Sequence, residues 1–192
     1  NRGSLLSPSA GDRQRYCASV VRALEIAEVL EAGAVLLHPG QLVSSGTYDA
    51  AWHNMRECLT ELAGEAEKRK TAIGLENVWN KILLTPREAR EFVDEVDSSW
   101  VGVYLDTANM MEYGYPEHWI RALGTRIKRV HLKDYSRSKR SFANLLEGDT
   151  DWPTVMTELR NIQYDAGLIH EIAGNTEAMI EIGHRMRKIA SL

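Results

Sequence analysis

Val101-Gly102-Val103-Tyr104-Leu105-Asp106 is a short aliphatic run that closes on a carboxylate. Its length, its β-branched content and its abrupt polar end read as a buried strand. Side chains alternate along a strand, so Asp106 shares a face with Tyr104 and Gly102, while Val101, Val103 and Leu105 point the other way. Three further segments follow the same rule. The stretch 71–77 carries Glu76 in register with Gly74 and Ala72, and 129–134 carries His131 opposite Val130 and Leu132. The stretch 167–172 carries Glu171 in register with Ile169 and Gly167. Bulky aliphatics face one way, as if toward covering helices, and a residue able to bind a hard divalent metal ends the other face. Four such endings at the carboxyl ends of successive parallel strands describe the mouth of a (β/α)8 barrel.

The segments between these strands have helical periodicity. Tyr16, Val20, Leu24, Ala27 and Leu30 form an apolar stripe that predicts a helix over 12–31, with Gly33 as its left-handed stop. Residues 34–38, closed by Pro39-Gly40, read as another strand, and 48–70 as a second helix. Thr85-Pro86-Arg87-Glu88 combines a capping box with proline at the first helical position and opens a helix to 96. Residues 116–123 read as a short helix ended by Gly124, and 135–150 as a long polar loop. A helix from Pro153 to about 160, with Asp151 as its cap, and a last helix over 176–190 complete the chain. Strands starting near 35, 71, 101, 129 and 167 give five βα units, the cadence of a parallel sheet with right-handed crossovers. A doubly wound sheet would carry a Gly-rich phosphate loop after its first strand, and none is present.

At 192 residues the chain is shorter than the roughly 250 of a full eight-stranded barrel. Its opening, Asn1 to Asp12, reads as the loop after an absent strand. The expectation is therefore a single partial barrel domain over 1–192, the carboxyl-terminal two-thirds of something larger with its amino-terminal strands missing. Five strands cannot close a barrel, so the strand ending at His38 is expected to be an exposed edge.

Composition sets the outer bounds. Apolar residues make up 44% and charged residues 26%, an ordinary globular balance. With 23 basic and 27 acidic residues the net charge is −4, and no basic stripe accumulates, so nucleic acid is not an expected partner. Cys17 and Cys58 lack metal-ligand spacing and read as idle thiols in a reducing cytoplasm. No apolar stretch is long enough to cross a membrane, and no secretory signal is visible.

Three carboxylates and one imidazole suit Mn²⁺, with Mg²⁺ or Co²⁺ as alternatives, better than a structural Zn²⁺ site. Such an ion beside a ketose holds the carbonyl and a neighbouring hydroxyl, so the expected chemistry is proton transfer through a metal-bound enediolate. Glu76 and Glu171, on strands far apart, are placed to flank the sugar and act as a two-base pair. Singly, each residue has a bland reading: a solvated strand-end glutamate, a helix-capping aspartate, a core histidine. Their shared register is what raises the metal reading.

Glu76-Asn77-Val78-Trp79-Asn80, 103–109, Gly114-Tyr115-Pro116-Glu117-His118-Trp119-Ile120 and His131-Leu132-Lys133-Asp134 together resemble the sugar phosphate isomerase/epimerase family. This is the xylose isomerase-like barrel group that includes ketose 3-epimerases of the tagatose/psicose type and L-ribulose- or L-xylulose-5-phosphate 3-epimerases. The resemblance covers nearly the whole chain. It implies a single metal site of Glu76, Asp106, His131 and Glu171, with the two glutamates doubling as acid and base. It also implies that Arg137, six residues after the histidine ligand, contacts substrate oxygens. Asn109 stands where the free-ketose epimerases have a substrate-binding histidine, and Ile82 where they have another substrate-contacting glutamate. Those two contacts are not carried over in kind, and Asn109 is kept as a substrate-binding candidate in its own right.

His38 ends its strand in the register of the ligands and is expected to line the pocket or pack at the rim. Lys133 shares a face with His131 and meets either an anionic substrate group or a rim carboxylate. Trp79 reads as a pocket wall, Lys139 and Arg140 as solvated loop residues, and His170, opposite Glu171, as structural. The function expected is that of a metal-dependent isomerase or epimerase of a ketose or ketose phosphate, in a possible homo-oligomer. The alternatives are another activity of the same barrel, hydroxypyruvate isomerase or inosose dehydratase, or a noncatalytic metal- or sugar-binding fragment. An endonuclease IV-like role would need more histidine and acidic ligands than the strand ends offer.

Overall fold

The computed structural model describes residues 3–171 and 174–192. Strands β1 (Ala34–Leu37), β2 (Ala72–Glu76), β3 (Val101–Asp106) and β4 (Ile127–Leu132) come first in the chain. A hairpin of β5 (Asp134–Ser136) and β6 (Ser141–Ala143) follows, and β7 (Leu168–His170) comes last. One parallel sheet runs in the order β1-β2-β3-β4-β7, and the antiparallel hairpin stands apart from it. Helix α1 (Ala10–Val29) precedes β1, and α2 (Tyr48–Lys68), α3 (Pro86–Val96) and α4 (Pro116–Leu123) join the first four strands in turn. Helix α5 (Trp152–Asn161) lies between the hairpin and β7, and α6 (Thr176–Ala190) follows β7. These are five strands of a (β/α)8 barrel. Ile172, the end of the segment read as the last strand, lies outside the described residues, as do Asn1 and Arg2.

The sheet's two faces differ as strand alternation requires. Outward, Ile73 and Leu75 pack with Met55, Leu59 and Leu62 of α2, all nearly inaccessible. Val103, Leu105, Val130 and Leu132 pack with Ile120 and Leu123 of α4 and Val155 and Leu159 of α5. Each such side chain contributes about 1.5–3 kcal/mol of burial, so this layer supplies the drive to fold. Inward, the middle strands carry Gly74 and Gly102 beside Glu76, Tyr104, Asp106 and His131. A Cβ on Gly74 would lie 3.0 Å from the Cβ of Tyr104, so glycine there makes room for the tyrosine ring.

Two local expectations are corrected. The first helix starts earlier and stops sooner than 12–31. The Ser9 side chain accepts from Asp12 N at its start, and Glu31, not Gly33, takes the left-handed backbone at its end (φ 52°). Gly33 serves instead to admit the Arg129 guanidinium, with which a Cβ would collide. The second correction concerns 135–150, which is not simply a polar loop. It begins with the β5–β6 hairpin, and one side chain organises the rest. Fully buried Asp134 accepts from Tyr135 N (2.9 Å), Thr150 Oγ1 (2.7 Å) and Thr150 N (3.3 Å) on one oxygen. It accepts from Gly148 N (3.1 Å) and Trp152 Nε1 (3.2 Å) on the other. Polar sequence gave no sign of this order, because the loop folds around a buried carboxylate rather than an apolar core.

Strand β1 is an edge of the sheet, as expected, and Leu36 on its inner face is exposed. The turn that follows β1 is tied to the start of the chain: the Tyr16 hydroxyl donates to His38 O and Ser4 Oγ to Pro39 O (3.3 Å).

Replacing Asp134 by Ala strands those five donors and is expected to lower stability by roughly 2–4 kcal/mol in urea unfolding. Gly148→Ala should destabilise as well, because its Cβ would collide with the Asp134 carboxylate. Unchanged urea midpoints in both variants would remove Asp134 as the anchor of this segment.

Candidate metal centre

Glu76 and Asp106 are the last residues of β2 and β3, His131 is the penultimate residue of β4, and Glu171 follows β7 directly. Register explains why they meet. Glu76 pairs with Tyr104, two short of Asp106; Asp106 pairs with His131; His131 pairs with Ile169, two short of Glu171. Strands of a closed eight-stranded barrel stagger by about one residue per neighbour, and on one face a step is always two. Residues at one height therefore step by two or by none along the pair register, and these four step by two, by none and by two.

One potential ligand atom from each of the four residues lies within 4.8 Å of all the others. Trans ligands of a divalent ion stand about 4–5 Å apart, twice a bond of roughly 2.0–2.6 Å, so the cluster has the dimensions of one coordination sphere. Glu76, Asp106 and His131 are buried, whereas the Glu171 side chain is 43% exposed. His131 Nδ1 lies 3.3 Å from Glu76 Oε1 and 3.9 Å from Glu171 Oε2. The Tyr104 ring packs on the imidazole, with centroids 4.4 Å apart.

Asp106 is the most constrained of the four. Its Oδ1 accepts from Ala108 N (2.8 Å) and Asn109 N (2.7 Å). The Asn77 side chain grips its backbone at both ends, accepting from Asp106 N (2.8 Å) and donating to Asp106 O (3.0 Å). Thr107 Oγ1 donates toward Lys133 O (2.7 Å) and accepts from Lys133 N (3.0 Å), stitching the ends of β3 and β4. The remaining oxygen, Oδ2, is buried without a hydrogen-bond donor, 3.7 Å from Lys133 Nζ. A buried carboxylate oxygen left this way fits a cation ligand. Burial pushes the Asp106 carboxyl up to about 6, with Glu76 adding to the rise and Lys133 and the Asn109 and Ala108 amides opposing it.

The other expected residues are placed unevenly. Lys133 joins the cluster, with Nζ 3.0 Å from Glu171 Oε2. Asn109 lies buried beside it and accepts from Trp79 Nε1 (2.7 Å) on its carbonyl. His38 is turned onto its own Pro-Gly turn, accepting from Gly40 N at 3.1 Å, and is not among the grouped ligands. The Arg137 guanidinium donates to Met111 O and Gly114 O, both at 2.6 Å, and lies over the Tyr115 ring. It clamps the 109–115 turn. Trp79 stacks on Phe142 of the hairpin at 5.3 Å, forming a wall over which Lys133 Nζ lies 3.9 Å from the Phe142 centroid. Sequence reasoning gave no role to Asn77, Thr107 or Phe142. Asn and Thr next to strand-end acids were the available signal for the first two.

Comparison with known proteins bears on the fold and the family. The sequence pattern of the xylose isomerase-like TIM barrel family matches residues 2–189. A D-psicose 3-epimerase of Enterocloster bolteae is 34% identical over 118 residues, covering 59% of this chain and 37% of its own. An uncharacterised protein of Methanocaldococcus jannaschii, MJ1311, is 28% identical over 151 residues, 74% of this chain and 52% of its own. The chain thus spans about half the length, or less, of these curated relatives. A crystal structure of a D-tagatose 3-epimerase-like protein superposes with a TM-score of 0.87 at 23% identity, over 98% of this chain and 73% of that one. The IOLI protein, crystallised with a bound zinc atom, superposes at 0.84 and 18% identity, over 96% of this chain and 72% of that one. Fold, register and matched sequence point one way: the chain belongs to the xylose isomerase-like TIM barrel family.

Proposed function

We propose that this chain carries the proton-transfer centre of an isomerase or epimerase acting on a ketose or ketose phosphate. The observation that carries the reading is the convergence of Glu76, Asp106, His131 and Glu171 within 4.8 Å, with a buried Asp106 oxygen that no donor satisfies. The kinship with a D-psicose 3-epimerase supports the substrate class. These four side chains would hold a divalent cation, Mn²⁺ first and Mg²⁺, Co²⁺ or Zn²⁺ as alternatives. When bound, the ion supplies Lewis-acid stabilisation of negative charge on the substrate's carbonyl oxygen.

The chain's own residues do the rest. Glu76, buried and beside His131 Nδ1, is one proton carrier; Glu171, half exposed and paired with Lys133, is the other. One carboxylate takes the proton from the carbon beside the carbonyl, the C–H electron pair moving onto the substrate's carbonyl oxygen, and the other carboxyl returns a proton to the opposite face. Asp106 serves as a fixed ligand rather than as a proton carrier in the reaction, because two backbone amides fix its Oδ1. The Trp79–Phe142 wall offers an apolar face for the carbon side of a sugar, and Asn109 beside it a polar contact. Lys133 is placed to meet an anionic substrate group, while Arg137 serves through the turn it clamps. A second reading, binding without turnover, draws on the half-exposed Glu171 at the end of the open sheet's edge strand.

Two measurements test this. Burial pushes the Asp106 carboxyl up to about 6 in the folded chain from an ordinary 3.8, so the native state is expected to hold a proton through that window that the unfolded chain has released. The metal-free protein should therefore lose stability as pH rises from about 4 to about 6. Cation binding needs the ionised carboxylate, so the rise in Tm on adding Mn²⁺ should be larger at about pH 7.5 than at about pH 5. Equal shifts at both pH values would separate Asp106 from the cation. The second measurement is turnover on a ketose panel with and without phosphate. Glu76→Gln and Glu171→Gln should each lower epimerisation by roughly 10²–10⁴-fold. Loss of one glutamate should still allow some exchange of the carbon-bound hydrogen with solvent deuterium. Parent-like rates in both variants would leave only metal binding.

A further inference from the structure

Among the described residues, Lys133 is the one lysine or arginine that reaches into the cluster of three carboxylates. Its Nζ lies 3.0 Å from Glu171 Oε2 and 3.7 Å from Asp106 Oδ2, two of the four side chains that converge on the centre. Its backbone is pinned on both sides by Thr107 Oγ1, at 3.0 Å to its N and 2.7 Å from its O. The side chain is only 14% exposed, so the ammonium is held in the cluster rather than waving in solvent. On its other side the Phe142 ring presents its face at 3.9 Å from Nζ, and that ring is itself stacked on Trp79. The ammonium thus lies between two attractive surfaces, carboxylate oxygens inward and an aromatic face toward the mouth.

We propose that Lys133 is a built-in stand-in cation. It neutralises the Glu171–Asp106 side of the cluster until a divalent ion arrives, then gives up those oxygens and withdraws toward Phe142. This inference rests on the proposed metal site. Charge balance favours it. Glu76, Asp106 and Glu171 carry three negative charges against the single positive charge of Lys133, a deficit that a doubly charged ion closes. Like charges in this volume repel strongly, so ion and ammonium cannot both keep the same oxygens. A four-carbon stem with rotatable bonds allows the withdrawal, which an arginine's rigid, bidentate fork on the same oxygens would resist. The displaced ammonium would then face the mouth beside the Trp79–Phe142 wall, available to an anionic or hydroxyl-rich ligand.

The test compares Lys133→Met and Phe142→Leu with the parent, each stripped of metal by a chelator. Mn²⁺ is titrated by calorimetry, and thermal unfolding is followed without metal. Lys133→Met keeps the stem but removes the charge. It should bind Mn²⁺ at least about tenfold more tightly, and its metal-free Tm should drop because the carboxylates have lost their counter-ion. Phe142→Leu keeps the lysine but removes its second seat, so Mn²⁺ binding should weaken severalfold. If Lys133→Met fails to fold without metal, the Phe142→Leu titration decides alone. Equal or weaker Mn²⁺ binding by Lys133→Met, or unchanged binding by Phe142→Leu, overturns the proposal while the metal site stands. A parent that binds none of Mn²⁺, Mg²⁺, Co²⁺ or Zn²⁺ removes the metal site, and the displacement with it.

Discussion

One desolvated carboxylate governs the arrangement of this molecule's mouth. Asp106 has no accessible surface, and leaving a charged group there without partners would be severely destabilising. Two amides of its own turn and the side chain of Asn77 satisfy everything except one oxygen. Those bonds fix where Oδ2 points, and the other potential ligands stand around it. The Asp106 turn also places Asn109 under Trp79, so the pocket wall is set by the same bonds. Much of the local structure follows from accommodating this group.

A second buried acid, Asp134, does a different task a few residues away. All of its capacity is taken by donors from residues 135–152, and it shapes the segment that carries Phe142 to the mouth. The contrast between the two aspartates is instructive. Both are fully buried and both end a strand or open one, yet one is closed to further ligands and the other is left with an open oxygen. Hydrogen-bond inventory, rather than burial, separates a structural carboxylate from a ligand-ready one.

The sheet was legible in the sequence because strand period and aliphatic content agree at every strand, and because the four polar endings fall in one register. Thr85-Pro86-Arg87-Glu88 was legible for the same reason: capping chemistry is local, and Thr85 and Glu88 make the reciprocal bonds their types allow. What stayed hidden depends on partners far along the chain. Gly33 looks like a helix stop, but its neighbour in space is Arg129. Residues 135–150 look like loop because their organising contact, Asp134 to Gly148 and Thr150, involves no apolar pattern. Arg137 reads from resemblance as a substrate contact, yet its nearest acceptors are the carbonyls of a turn more than twenty residues back. Spacing reports what a residue could reach, and competing acceptors decide what it holds.

The tight fit of Gly74 against Tyr104, and of Tyr104 against His131, divides the interior into a part open to change and a part that is not. Added volume at position 74 would press on the tyrosine, and the tyrosine would tilt the imidazole. The strand-borne floor of the site is therefore intolerant of variation, whatever the ligand. The Trp79–Phe142 wall stands on the loop after β2 and on the β5–β6 hairpin, outside the parallel sheet, and meets the cluster through the Lys133 ammonium. A side chain exchanged in the loops after β2 and β4 can therefore reshape the mouth while the strand-borne interior beneath it keeps its packing.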